Sequence, residues 1–118
     1  MYIEPQKYVN MAQKLENTKN FFEYFFTNRK NIRYEKIYKL YENAASLYKL
    51  LNNTQLTIKY YDLAYKYLIM SIENNNYNEY NVHCIKILLN NMAEMYEKVD
   101  YIKSITYYFP NNKLLFGK

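Results

Sequence analysis

Tyr34 to Met70 reads YEKIYKLYENAASLYKLLNNTQLTIKYYDLAYKYLIM, and two apolar stripes within it decide the fold. In its first half Ile37, Leu40, Ala44, Leu47 and Leu51 recur at spacings of three and four, which puts them on one face of a helix. Leu56, Tyr60, Leu63, Tyr67 and Met70 do the same in the second half. Between the halves lies Asn52-Asn53-Thr54, whose short polar side chains can bond to neighbouring backbone groups, ending one helix and capping the next. So short a connection imposes antiparallel packing. Ala44, Ala45 and Ala64 let the two axes approach closely, while Tyr41, Tyr48 and Tyr61 fill the space around them.

Working outward, Val82 to Tyr96 repeats the first helix. An offset of 48 sets Ile37 over Ile85, Leu40 over Leu88, Asn43 over Asn91, Ala45 over Ala93, Leu47 over Met95 and Tyr48 over Tyr96. A partner helix is expected from Asp100, with Ile102, Ile105, Tyr108 and Phe109 as its face, until Pro110 stops it. Upstream, Pro5 opens a short amphipathic helix with Tyr8, Met11, Ala12 and Leu15 on its apolar side. The expected architecture is all-α, antiparallel helix pairs stacked as a tetratricopeptide-like right-handed solenoid. It forms a single domain over 1–118, divided into an N-terminal helix (1–19), an aromatic loop (20–33), a helix pair (34–72), a second pair (80–109) and a tail (110–118).

Composition agrees with long helices. One Gly and two Pro leave few breakers, and Asn clusters punctuate the chain in their place. A net charge of +5 favours anionic partners without naming one. The lone Cys84 excludes an internal disulfide and suits a reducing compartment. With no apolar leader and no run of roughly 18 apolar residues, the chain is expected to be a soluble cytoplasmic protein. Catalytic chemistry finds no foothold. His83 and Cys84 are the sole His and Cys, Gly117 cannot make a phosphate loop, and neither an enzyme nor a cofactor is expected.

The segment NTKNFFEYFFTNRKN, residues 17–31, holds four of the six Phe. Phe21, Phe22, Phe25 and Phe26 have two readings. One is ordinary core burial; the other is a membrane contact, since adjacent pairs cannot all face one side of a helix and Lys19, Arg29, Lys30 and Arg33 bracket them. Lys59 and Lys66 stand two turns apart on one helix, with Lys39 and Lys49 on its neighbour, so a basic stripe is a candidate partner contact, against the ordinary reading of solvated surface charge.

Taken in order, the amphipathic helix, the Phe21-Phe22 loop with Phe25 and Phe26, and the EKIYKLYENAASLYKL helix from Glu35 to Leu50 resemble the soluble NSF attachment proteins. A fainter likeness runs from Met92 to Ile105. The resemblance implies an adaptor of vesicle trafficking: a Phe-rich loop on the membrane, a helical sheet along a SNARE bundle, and recruitment of a hexameric AAA ATPase. It implies peripheral membrane association, with no small-molecule substrate. Members of that family are more than twice as long, so the likeness implies an incomplete version, truncated or degenerate. Two other readings stand beside it: a generic repeat module that binds a peptide, and a basic helical protein that stacks nucleic-acid bases on its tyrosines.

Overall fold

A computed structural model describes residues 4–18, 27–72, 78–100 and 103, with residues 27–30 described in backbone only. Among the described residues are four α-helices: α1 (Pro5–Glu16), α2 (Thr27–Leu50), α3 (Thr54–Ser71) and α4 (Glu79–Val99). All regular structure among the described residues is helical. The chain divides into two compact units, Met1–Glu73 and Asn74–Lys118. The boundary falls at the Asn cluster that starts with Asn74.

Within the first unit α2 packs against both α1 and α3. The α2–α3 connection is built as expected, with more detail than the sequence announces. Asn52 adopts a left-handed conformation at φ 60°. Its N–H bonds to Lys49 O at 3.0 Å, and Asn53 N–H reaches Tyr48 O at 3.0 Å. This pair of bonds is a Schellman motif, which satisfies the last carbonyls of α2. Asn53 then caps α3 by accepting from Leu56 N–H at 3.1 Å, and Thr57 Oγ1 donates to Asn53 O at 2.7 Å. Asn tolerates the left-handed region better than other non-glycine residues, and Gly better still. Asn52→Gly is therefore expected to stabilise the unit by up to about 1 kcal/mol, and Asn52→Val to destabilise it by about 1–2 kcal/mol, in urea unfolding.

The stripes are rotated from those the sequence suggests. On α2, Ile37 and Ala44 are fully buried, but Leu40 and Leu47 are half-buried and Leu51 is 53% exposed; Tyr38, Tyr41 and Ala45 take the interior. On α3, Tyr60 and Tyr67 are buried with Thr57, Tyr61, Ala64 and Leu68, while Leu56 and Leu63 are half-buried and Met70 is exposed. The physical reason is that α2 has two neighbours, so its interior face is broad and must include the tyrosines that reach both.

Two further differences concern the helix to which the aromatic segment leads and the helix before it. α2 begins at Thr27, so the expected loop of 20–33 is already helical over its last part. TNRKNIRYEK has no Gly or Pro and contains good helix formers, so propensity extends the helix without an apolar stripe; Ile32 is indeed 52% exposed. In α1 the interior residues are Pro5, Val9 and Ala12. Tyr8 and Leu15 are half-buried, and Met11, expected inside, is 53% exposed.

In the second unit α4 buries Ile85, Leu88, Leu89, Met92, Ala93, Met95 and Tyr96, with Val82 half-buried. Asn78 caps it by accepting from Asn81 N–H at 2.8 Å. At its far end Asp100 Oδ1 accepts from Lys103 N–H at 3.1 Å, the bond made by a helix-capping aspartate. The rest of the helix expected after Asp100, and the tail of 110–118, lie outside the described residues. No helix among the described residues is long and apolar enough to cross a membrane.

Candidate functional site

Tyr34, Tyr41 and Tyr48 are seven residues apart on α2, and Tyr60 and Tyr67 are seven apart on α3. Seven residues make two helical turns, so each set lies on one face. Because the helices run antiparallel, the two sets interleave into a ladder of five rings. Centroid distances along it are 5.8 Å for Tyr34–Tyr67, 6.1 Å for Tyr67–Tyr41, 5.7 Å for Tyr41–Tyr60 and 5.7 Å for Tyr60–Tyr48. Three of these contacts are stacked, with interplanar angles of 26°, 9° and 17°. Such pairs add to the stabilisation that ring burial already gives.

The hydroxyls at the edge of the ladder are taken up by α1. Tyr41 and Tyr67 both donate to Glu16, one to each carboxylate oxygen, at 2.5 Å. Tyr48 donates to Gln6 Oε1 at 3.1 Å. Arg33 Nη1 donates to Leu15 O at 2.8 Å, with its guanidinium 5.1 Å from the Tyr34 ring centre. Gln6 thus meets the end of α2 and Leu15 its beginning, so α1 runs antiparallel to α2. Burial, then the hydrogen bond to Glu16 and its negative charge, push the Tyr67 hydroxyl up to about 12. The same causes push Tyr41 up further still. Both are held as neutral donors. On the outer side of α2, burial raises the Glu42 carboxyl, and the Tyr38 hydroxyl and Lys39 partly offset this.

The four candidate lysines differ in their surroundings. Lys59 and Lys66 share a face of α3 and are exposed, with their ammonium groups 5.4 and 5.5 Å from the rings of Tyr60 and Tyr67. On α2, Lys39 is exposed and pairs with Glu35 at 3.1 Å. Lys49 is half-buried and ten residues away, about 80° around the helix from Lys39. Phe21, Phe22, Phe25 and Phe26 lie outside the described residues. No three His, Cys, Asp or Glu side chains come together as a metal site among the described residues.

Nothing in local periodicity singles out Glu16 and Gln6. The seven-residue spacing of the tyrosines was the available signal. Set against known proteins, the chain matches no family model, no curated protein and no solved structure.

Proposed function

We propose that this chain is an adaptor of the attachment-protein type, in which a helical stack carries a Phe-rich membrane contact and lays its surface along a SNARE bundle for a disassembly ATPase. The observation that carries the reading is the order of parts. A short helix, α1, is tied to the start of an Ala-Ala helix, α2, through Arg33 and Leu15 O, and the residues between them contain Phe21, Phe22, Phe25 and Phe26. Successive antiparallel packing of α1 on α2 and α2 on α3 is also the step from which a right-handed tetratricopeptide-like stack is made.

Two rings entering a bilayer supply roughly 3–6 kcal/mol before ordering costs, which is weak alone and effective when several copies share a membrane-anchored partner. Phe21→Ser with Phe22→Ser is expected to abolish cosedimentation with acidic liposomes while leaving the far-ultraviolet circular dichroism unchanged. Cosedimentation equal to that of the parent chain would remove the basis of the proposal. Base stacking is less well supported, since Tyr38, Tyr41, Tyr60, Tyr61, Tyr67 and Tyr96 are buried and present no ring face to a nucleotide.

A further inference from the structure

The ladder of Tyr34, Tyr41, Tyr48, Tyr60 and Tyr67 belongs to α2 and α3, and α1 is bound to its edge by a different kind of contact from the one that joins those two helices. Between α2 and α3 stand the four ring contacts of the ladder, with Tyr41, Tyr60 and Tyr67 buried. α1 has 12 residues and contributes Pro5, Val9 and Ala12 to the interior. Tyr8 and Leu15 are half-buried, and polar ties join α1 to its neighbours: Glu16 to the Tyr41 and Tyr67 hydroxyls, Gln6 to Tyr48, and Leu15 O to Arg33. Hydroxyls and a guanidinium released from such bonds can be taken up by water, whereas rings pulled from the ladder would be exposed. A helix this short is also marginal in isolation, so its order depends on its docking.

We infer that α1 is a displaceable occupant, and that the α2–α3 surface it covers is a docking site for an amphipathic helix of a partner protein built to the same pattern. The pattern is read from α1 itself: small apolar residues at i and i+3, as Val9 and Ala12, and a glutamate at i+7, as Glu16. The site's chemistry selects that glutamate, because two tyrosine hydroxyls converge on one carboxylate. An amide offers one acceptor oxygen in place of the two used here, and a basic side chain offers none. This inference stands apart from the Phe segment and from any membrane contact.

Two measurements on the full chain test it. In native-state hydrogen exchange, the amides of α1 are expected to exchange at least about 100-fold faster than those of Tyr60–Leu68 in α3, through an opening that leaves the helix pair folded. Equal rates would show that α1 leaves only when the whole unit unfolds, and would overturn the inference. The second measurement uses a fluorescent peptide of residues 4–18, which must compete with the tethered α1 at millimolar effective concentration. Glu16→Ala in the chain weakens that competitor, so peptide binding by anisotropy is expected to tighten about tenfold. The same substitution in the peptide is expected to weaken binding about 30-fold or more. Loss of affinity in both cases, or a dimer of the chain exchanging α1 in place of peptide binding, would overturn the partner-helix assignment.

Discussion

Glu16→Ala is expected to destabilise the Met1–Glu73 unit by about 2–4 kcal/mol, the sum of losing two charge-assisted hydrogen bonds and leaving their donors without an acceptor. For a chain of this size that lowers Tm by roughly 10 °C or more. The magnitude follows from the geometry: both oxygens of one carboxylate are engaged, and the donors Tyr41 and Tyr67 are buried side chains. Glu16→Gln keeps one acceptor oxygen and turns an N–H toward the other hydroxyl, so its cost is intermediate. Because α1 can leave while α2 and α3 stay paired, the loss to the unit is capped by what the docking of α1 contributes. The decisive control is a double-mutant cycle. In a Tyr41→Phe, Tyr67→Phe background, Glu16→Ala is expected to cost well under 1 kcal/mol, since the bonds it removes are already gone. An undiminished cost there would assign the role of Glu16 to something other than the two hydroxyls.

How far the sequence reaches can be judged at these same residues. The hairpin was legible because its signals are local: Asn52-Asn53-Thr54 lies within a turn, and Ala44, Ala45 and Ala64 are small wherever they are placed. The phase of each helix was harder to read. Leu40, Leu47 and Met11 were expected inside on hydrophobicity, yet the interior went to Tyr38, Tyr41 and Val9. Tyr is amphipathic, and whether it faces in or out depends on a partner for its hydroxyl. Those partners are remote in sequence. Glu16 is 25 residues from Tyr41 and 51 from Tyr67, so no window of periodicity contains them.

The extension of α2 to Thr27 escaped for the opposite reason. That first part of the helix has no apolar stripe, and propensity alone carries it. At the candidate site the balance is different again. Lys59 and Lys66 share a face as expected, because seven-residue spacing fixes this by geometry. Lys39 and Lys49 are about 80° apart, because ten residues is not a whole number of turns. For the Phe cluster, adjacent aromatic pairs are consistent with either burial or projection, and the choice depends on neighbours that a linear pattern does not contain.

Alkaline pH is expected to unfold this unit earlier than an ordinary helical hairpin, through the tyrosines that share Glu16. A phenol donates to a carboxylate only while it keeps its proton; once ionised, it places a second negative charge against the first. Burial, the hydrogen bond and the Glu16 charge accordingly raise the Tyr67 hydroxyl from 10.0 to about 12, and they raise Tyr41 beyond that. The sign of the linkage follows. A folded-state value above the unfolded one means that the unfolded chain loses these protons first. The stability they contribute is therefore complete below about pH 10 and declines as pH rises from there through about 12, with Tyr41 extending the loss upward. Tm measured across this range is expected to fall by several degrees more in the parent chain than in the Tyr41→Phe, Tyr67→Phe variant, which has lower stability at neutral pH but a flatter profile. Tyrosinate absorbance should show two protons released together with unfolding in the parent chain. If the variant loses stability as steeply as the parent, the alkaline transition belongs to the lysines, and the shared carboxylate is not what holds α1 to the ladder.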